Sequence, residues 1–282
     1  MITQGHSVRP EHIQLKILRQ NGPGDSSYWE FHHVPYEAGM NVISALQRVA
    51  AQAKTIDGKD VAPVAWECNC LEEVCGSCTM VINGRVRQAC SALVDRLLDD
   101  HPNEIELRPM SKFPVVRDLV VERKRMFQAL SRVKAWNPVD TYYDMGPGPR
   151  QSRNDQEQNY PLSQCMTCGC CVEACPQYMK VEVERKPNES DAEFEKREAE
   201  ANENAFIGPQ AISQVMLFNS NPTGKMIADE RLEELTNPGG LQVCGNAQNC
   251  VAVCPKEIPL TRSIGRAGRA VTLYSLKKWF DR

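Results

Sequence analysis

The sequence has no run of about 18 apolar residues, so no segment is expected to span a bilayer as a helix. Its first 20 residues lack the apolar core of a secretory signal, which leads us to expect a cytoplasmic protein. A strong excess of one charge is also missing. The net charge is −3, and this gives no general attraction to nucleic acid.

Cysteine, by contrast, is abundant, with 13 residues in a chain of 282. A reducing compartment and the odd count both argue against a disulfide framework. The cysteines fall in three tight groups, which suits inorganic clusters that need several thiolates around one small core. The length is also a reasonable one for two domains, which we place at 1–110 and 111–282.

The first part of the chain has the pattern of a small α+β domain. Alternating runs at 12–20 and 28–36 predict two strands, and apolar residues at helical spacing predict a helix over 40–54. The Asn83-Gly84 pair between two alternating runs predicts a two-residue hairpin, and 104–110 would be the closing strand. This order is that of a β-grasp sheet, although other α+β folds begin in the same way.

The second part shows no strand pattern after residue 165. The apolar stripe with basic residues at 113–130 predicts a helix, and further helices are predicted at 206–221 and 226–237. A polar stretch rich in Gly and Pro at 140–161 predicts a loop. Charge dominates 181–204, which predicts either a solvated helix or a mobile excursion without a site.

The first cysteine group has the C-x4-C-x2-C spacing of plant-type [2Fe–2S] ferredoxins at Cys70, Cys75 and Cys78. The predicted hairpin places Cys78 opposite Ala89, so Cys90 lies close to Cys78 and is the expected fourth ligand. A structural zinc site also takes four cysteines. Such sites usually pair two C-x2-C knuckles, whereas this group has one.

The other two groups are twelve-residue runs, 165–176 and 244–255, that both end in Cys-Pro. The first is the bacterial C-x2-C-x2-C-x3-C-P run, whose last cysteine binds the other cluster in two-cluster proteins. This crossing assigns a [4Fe–4S] cluster to Cys165, Cys168, Cys171 and Cys254. It assigns a second cluster to Cys175, Cys244 and Cys250.

The second cluster lacks a fourth thiolate, because Ala247 aligns with Cys168 and cannot bind iron. The expected species is therefore [3Fe–4S]. A cube with a water-bound fourth iron is the alternative, but the Val, Ala and Leu residues nearby do not suggest a substrate pocket. Cys68 and Cys170 remain, and we expect both to be free, buried thiols. A second alternative is that Cys68 replaces Cys70 as a ligand of the [2Fe–2S] cluster.

With these motifs, the chain resembles the iron–sulfur subunit of succinate dehydrogenase and fumarate reductase, the respiratory complex II family. The resemblance covers nearly the whole chain. It depends on five stretches besides Cys90, namely NCLEEVCGSC, FPVVRDLVVERKRMF, CMTCGCCVEACP, FIGP and CGNAQNCVAVCPKEIPLTRSI. The family implies an N-terminal β-grasp ferredoxin domain, a C-terminal all-α bacterial-ferredoxin-like domain and the crossed ligands.

The resemblance also implies a function in electron transfer. A flavoprotein partner would oxidise succinate at FAD, and electrons would pass through [2Fe–2S], [4Fe–4S] and [3Fe–4S] to a membrane anchor carrying haem b and then to quinone. The chain would lie peripherally on the cytoplasmic face of the inner membrane, held by that anchor. No catalytic residue is assigned here, since the dicarboxylate chemistry belongs to the flavoprotein. The alternative functions are fumarate reduction, electron transfer as a ferredoxin-like subunit of another dehydrogenase, and protein interaction by a domain that zinc holds together.

Two departures from ubiquinone-binding relatives affect the expected quinone. Those relatives carry a tryptophan shortly after the Cys-Pro of the first run and a histidine after the first cysteine of the second. In this chain the place of the tryptophan falls within 177–180, QYMK, and the place of the histidine is occupied by Gly245. The sequence is closer in style to menaquinone-linked enzymes with a di-haem cytochrome b. The basic, partly apolar tail at 261–282 is expected either to pack on its own domain or to dock on the anchor.

Overall fold

The computed structural model describes residues 9–138 and 149–281. Its strands are β1 His12–Arg19, β2 Tyr28–Pro35, β3 Thr79–Ile82, β4 Arg85–Gln88, β5 Glu104–Arg108, β6 Val115–Arg117 and β7 Val120–Val121. Its α-helices are α1 Val42–Gln52, α2 Val94–Asp100, α3 Lys124–Arg132, α4 Arg153–Ser163, α5 Cys170–Glu173, α6 Asp191–Asn204, α7 Pro209–Ser220, α8 Ala228–Thr236, α9 Asn249–Ala252 and α10 Leu260–Phe280. Short 3₁₀ helices cover Gly224–Ile227 and Leu241–Val243.

The chain separates into two compact units. Within the described residues, the first unit runs to Met110 and also includes Pro114–Val121. The second unit takes Ser111–Phe113 and the chain from Glu122 onward. The predicted domain limit at 110 falls beside this division, with the segment 114–121 belonging to the first unit.

The first unit is built on a five-stranded mixed sheet in the order β2-β1-β5-β3-β4. β1 pairs with β2 in the antiparallel sense and with β5 in the parallel sense. Alternate residues of β1 are fully buried, as expected for a strand with one face on a core. Helix α1 covers that face with its own apolar residues. The predicted α+β class and the opening order of strand, turn, strand and helix are confirmed.

The predicted hairpin at residues 83 and 84 is also confirmed. Both residues have positive φ, 47° for Asn83 and 73° for Gly84, as a type I′ turn requires. The flanking strands pair Thr79 with Gln88. Beyond the last pair, the Ala89 N–H donates to the Cys78 carbonyl at 3.1 Å, so the predicted register is right.

The helix predicted over 113–130 is wrong in its first half. Residues 115–121 form the small β6–β7 hairpin, and only α3 from Lys124 onward is helical. Asp118 sits in the turn of the hairpin with φ of +48°. Its carboxylate accepts the Ala65 N–H at 2.8 Å and the Arg19 Nε–H at 2.7 Å. These bonds hold the segment as a turn, since a helix would not present the carboxylate to both donors.

Asp118 belongs to a buried group of charged side chains. Arg19 is only 1% exposed and also donates through Nη1 to Glu30 and to the Ala62 carbonyl. The Glu30 carboxylate in turn lies 2.9 Å from His32 Nε2. A buried ion pair is tolerated only when hydrogen bonds satisfy its remaining donors and acceptors, and here they do.

The described part of the second unit contains helices and no strand. α7 packs against α4, α8 and α10, and its buried residues supply much of the apolar interior. The loop predicted over 140–161 is wrong at its end, because α4 begins at Arg153 with Ser152 as its N-cap. Residues 140–148 of that prediction lie outside the described part.

The charged stretch at 181–204 contains the solvated helix that was one of its two expected forms. α6 begins with a capping box between Ser190 and Glu193, and none of its residues is buried. In the described residues, no helix has both the length and the apolar character needed to cross a membrane.

Substitution of Asp118 by asparagine should lower the free energy of unfolding by about 2–3 kcal/mol, because it removes one of the two carboxylates that pair with the buried Arg19 and weakens a charged hydrogen bond. Urea unfolding of the cluster-loaded protein, followed by circular dichroism, measures this change. Asp60→Asn is the matched control, because Asp60 pairs with Lys54 at the surface and should leave the unfolding midpoint unchanged. Equal midpoints for the parent and the Asp118 variant would show that the buried group contributes nothing.

Candidate metal centres

The loop that carries Cys70 and Cys75 is curled by three residues with positive φ. Leu71, Glu73 and Gly76 have φ of 61°, 56° and 76°. This conformation turns backbone N–H groups toward the Cys70 sulfur. Cys70 Sγ accepts from the N–H groups of residues 72, 74 and 75 at 3.4, 3.2 and 3.3 Å. Such a ring of donors stabilises a thiolate, and therefore a metal-bound sulfur.

The next two cysteines lie in opposite electrostatic surroundings. The Ser77 hydroxyl and the backbone around Cys70 lower the pKa of Cys75 to about 6. Burial raises the pKa of Cys78 to about 12, and the adjacent Cys90 sulfur contributes to this shift. The structure thus brings Cys78 and Cys90 together, as the hairpin register predicted.

Two polar contacts anchor the ends of this site. Asn41 caps α1 by accepting the Ser44 N–H at 2.9 Å, and its Nδ2 donates to the Cys90 carbonyl at 2.9 Å. On the other side, the buried Thr79 hydroxyl donates to the Gly76 carbonyl at 2.7 Å. These bonds connect the cysteine positions to α1 and β3, so the site has a rigid support.

The two leftover cysteines differ from each other. Cys170 is fully buried, as expected, but Cys68 is exposed, so the prediction that it is buried is wrong. Cys68 precedes the curled loop in a stretch without regular structure, where no apolar layer covers it. The three N–H donors converge on Cys70 and not on Cys68, which favours Cys70 as the ligand.

In the second unit, the two twelve-residue runs have the same backbone conformation. Thr167 and Asn246 occupy equivalent positions and both have positive φ, as do Gly169 and Gln248 two residues later. Each run then forms a single helical turn, α5 in the first and α9 in the second. The alignment of Ala247 with Cys168 is therefore present in the backbone as well as in the sequence.

The last cysteine of the second run joins the first run. Cys254 lines one cavity together with Cys165, Cys168 and Cys171. Burial raises the pKa of Cys165, and the neighbouring Cys168 and Cys254 sulfurs raise it further. Burial likewise raises the pKa of Cys171 well above its ordinary value, again with Cys168, Cys165 and Cys254 contributing.

The remaining three cysteines form a second group. Burial raises the pKa of Cys250 to about 11, and the nearby Cys175 and Cys244 sulfurs add to the shift. Ala247 is exposed, whereas its counterpart Cys168 is buried. The alanine position of the second group therefore faces outward from the chain.

No set of three or more His, Cys, Asp or Glu side chains in 9–138 and 149–281 is arranged to hold one metal ion. An iron–sulfur cluster needs its ligands further apart than a single ion does, because each ligand sulfur binds a separate iron at a corner of the core. The cysteine groups have the donor chemistry for that larger core.

Sequence reasoning missed two polar residues beside these groups. Gln210, at the start of α7, lines the Cys165 cavity with both side-chain polar atoms unpartnered. Gln177 fills the space beside Gly245, where an added Cβ would come within 2.9 Å of its Nε2. Gln210 had no signal in the sequence, because it looks like an ordinary polar residue. The stretch 177–180 was noted as a departure, but the contact of Gln177 with Gly245 was not predicted. A side chain at position 245 would require the exposed end of Gln177 to move.

The tail helix α10 packs on its own unit, as one of the two expectations had it, but only over its first half. Its first half is packed within the unit, with Leu260, Ser263 and Ala267 buried. Its second half is exposed and carries a group of large apolar side chains, which we call the tail patch. The tail patch consists of Leu273, Leu276, Trp279 and Phe280, with exposed fractions of 56%, 50%, 70% and 76%.

Comparison with known proteins identifies the family. Residues 14–128 match a family described as a 2Fe-2S iron-sulfur cluster binding domain. The chain is also 47% identical over 268 residues to the "Succinate dehydrogenase iron-sulfur subunit" of Bacillus subtilis (strain 168), covering 95% of this chain and 96% of that protein. The chain belongs to the succinate dehydrogenase iron–sulfur subunit family. The resemblance inferred from the cysteine motifs is confirmed.

More distant members of this succinate dehydrogenase and fumarate reductase family agree. The "Fumarate reductase iron-sulfur subunit" of Escherichia coli O6:H1 is 26% identical over 253 residues, with 88% of each chain covered. A chain of the "Mycobacterium smegmatis Sdh1 complex in the apo form" superposes with a TM-score of 0.67 at 22% identity, covering 92% of this chain and 95% of that one. This structural match shows a shared fold.

The contact from Asn41 to Cys90 can be separated from helix capping by an Asn41→Asp variant. The aspartate still accepts the Ser44 N–H but cannot donate to the Cys90 carbonyl. We expect loss of the [2Fe–2S] circular dichroism signal in chelator to speed up roughly fivefold, since one hydrogen bond is worth about 1 kcal/mol.

Ser152→Ala is the control for this experiment. It removes the N-cap of α4 in the other unit, so it should lower thermal stability without speeding loss of the [2Fe–2S] signal. Equal loss rates in Asn41→Asp and the parent would rule out a role for the Cys90 contact.

Proposed function

We propose that this chain is the electron-carrying subunit of a succinate:quinone oxidoreductase, with three iron–sulfur clusters in a β-grasp domain and an all-α ferredoxin-like domain. The observation that carries the proposal is the crossed grouping of the second unit's cysteines. Cys254 lies with the first run and Cys175 with the second. Two interleaved runs are the arrangement of two-cluster ferredoxins.

The proposed ligands follow the three groups. Cys70, Cys75, Cys78 and Cys90 hold [2Fe–2S] in the first unit, with the N–H donors around Cys70 supporting that assignment. In the second unit, [4Fe–4S] takes four of the five cysteines that line the shared cavity, namely Cys165, Cys168, Cys171 and Cys254. [3Fe–4S] takes Cys175, Cys244 and Cys250.

The three-iron assignment is supported by the matching backbones of the two runs. Where Cys168 offers a sulfur, Ala247 offers a methyl group at the equivalent place. The surrounding residues 245–249 are exposed and carry no thiol. A fourth iron there would have no protein sulfur.

When bound, such clusters accept and release one electron at a time. The chain's own residues hold the sulfurs, exclude water and supply hydrogen-bond donors. Ile258 and Leu260 line the Cys165 cavity and are nearly fully buried, so they keep water from that site. Hydrogen bonding with Cys170 lowers the pKa of Cys168 to about 7, and the positive charge of Arg123 lowers it further. The hydrogen bond and the positive charge stabilise negative charge at Cys168, against the effect of burial.

The proposed partners are an FAD-containing flavoprotein and a cytochrome b anchor with haem b that reacts with quinone. The tail patch and the adjacent Lys277 would suit an anchor at the cytoplasmic face of the inner membrane, where apolar and basic groups meet lipid head groups. Residues 177–180 and Gly245 depart from the pattern of ubiquinone-binding relatives, and this departure supports menaquinone through the anchor. The higher identity to the succinate dehydrogenase relative favours succinate oxidation over fumarate reduction.

Purification of the chain from its native membrane tests this function. An FAD flavoprotein and a haem b protein should co-purify, and succinate should bleach the iron–sulfur absorbance of the complex. A preparation that contains all three clusters but no succinate-oxidising flavoprotein would contradict the proposal. It would favour the ferredoxin-like subunit of another dehydrogenase.

Ala247→Cys should convert the three-iron cluster to a four-iron one, because the new sulfur lies where Cys168 binds in the other run. Low-temperature EPR of the air-oxidised complex should then lose its oxidised three-iron signal, and the potential of that cluster should fall.

Ala247→Ser is the control, because it adds an oxygen close in size to the sulfur of the cysteine variant but no thiol. It should retain the oxidised three-iron signal. Retention of that signal in Ala247→Cys would overturn the register of the two runs.

A further inference from the structure

We infer that the Gln210 side-chain amide donates a hydrogen bond to the sulfur-rich core held by Cys165, Cys168, Cys171 and Cys254, and so raises its reduction potential. This inference rests on the ligand set proposed above. In this role Gln210 does not ligate iron. It changes the reduction potential through a hydrogen bond to sulfur.

The first support is the burial of an unsatisfied amide. Gln210 is 1% exposed, and neither Nε2 nor Oε1 has a hydrogen-bond partner in the protein. Asn159, Tyr178 and Ser213 of the same unit have one such atom each, whereas Gln210 has two. Leaving a buried amide unpaired is unfavourable because the group has lost its hydrogen bonds to water, so a partner is expected.

The second support is where the amide lies. Gln210 is among the residues that line the cavity shared by the four cysteines. The other polar side chains of that lining are Thr167 and Lys256. Thr167 already interacts with the Cys165 sulfur, and Lys256 is partly exposed. Gln210 is therefore the buried donor in this cavity whose hydrogen bonds are unassigned.

The backbone explains how the amide reaches the cavity. Gly208 precedes α7 with φ of +91°, and an added Cβ there would come within 2.7 Å of Val172 Cγ1 on α5. The glycine thus lets the start of α7 approach the helical turn that follows the cysteines. No side chain caps α7. Its first backbone N–H groups and the Gln210 amide consequently lie at the same end of the helix, which favours negative charge.

The chemistry selects the donor end of the amide. Four thiolates around an iron–sulfide core carry net negative charge, and the charge grows by one on reduction. An N–H donor therefore stabilises the reduced form more than the oxidised form, and the reduction potential rises. The Oε1 atom would be repelled, so the amide turns its NH₂ group toward sulfur.

Gln210→Met tests this inference, since methionine has a similar length and no N–H donor. The ratio of reduced to oxidised four-iron cluster at a fixed potential should fall about tenfold, which is 59 mV for one electron. EPR-monitored redox titration of the whole complex measures the change. A coupling to an exchangeable proton in pulsed EPR of the reduced parent should also disappear in the variant.

Gln214→Met is the matched control one turn along α7. Its Nε2 donates to the Leu162 carbonyl at 3.1 Å, so the protein already satisfies it. This variant should lose some thermal stability but keep the parent's potential and proton coupling. Gln210→Glu preserves the side-chain shape and should lower the potential further than methionine does, because its carboxylate both lacks the donor and adds negative charge beside the core.

The possible results distinguish a failure of the Gln210 hydrogen bond from a failure of the proposed cluster ligands. An intact four-iron signal with unchanged potential and proton coupling in both Gln210 variants would overturn the role of Gln210 alone. A parent complex without any four-iron signal would overturn the proposed ligands as well. A lowered potential in Gln210→Met and Gln210→Glu, but not in Gln214→Met, would establish the hydrogen bond.

Discussion

The second unit depends on one constraint, which is that two short cysteine runs must lie side by side. The loop of the first run presents Cys165, Cys168 and Cys171, and that of the second presents Cys244 and Cys250. Each run sends its last cysteine away behind a helical turn, and that thiol is useful only if the other run is within reach. α5 and α9 meet directly, and Asn249 Nδ2 of the second run donates to the Ala174 carbonyl of the first at 3.1 Å. The packing of α7 on α10 and α8 holds this pair in place.

The first unit meets a different requirement with buried charge. Its cysteine loop has little regular structure of its own and takes its shape from its supports. Asn41 and Thr79 fix the two ends by hydrogen bonds. Elsewhere in the unit, Arg19 and Asp118 connect β1 to the β6–β7 hairpin across 99 positions of sequence. Glu30 pairs with Arg19 from the other side, so removal of the Asp118 charge would leave the buried guanidinium with one carboxylate in place of two, and the pair specifies one arrangement of the hairpin.

Local patterns were enough to predict much of this architecture. The Asn83-Gly84 turn was predictable because few dipeptides adopt two positive φ angles. The cysteine runs were predictable because their spacing matches the dimensions of a cluster. The alternation of β1 needed no tertiary knowledge, since one buried face imposes a period of two.

Other features depend on contacts distant in sequence, and they were missed for that reason. The segment 115–121 has an apolar pattern compatible with a helix, and only the long-range bonds of Asp118 make it a hairpin. Arg19 looks like a surface residue at the end of a strand, yet it is buried because Glu30 and Asp118 surround it. Gln210 lies in a helix where a polar side chain is unremarkable in the sequence. Its place beside the cysteines follows from Gly208 and the packing of α5.

The parallel pairing of β1 with β5 has a consequence for synthesis. Gln14 pairs with Glu104, so the central ladder cannot close until roughly the first 110 residues have left the ribosome. Until Asp118 also emerges, Arg19 lacks one of the two carboxylates that it pairs with in the folded interior. The nascent domain therefore stays open while its four thiols are already outside the exit tunnel. Assembly factors that deliver iron and sulfide would find these thiols accessible during this interval.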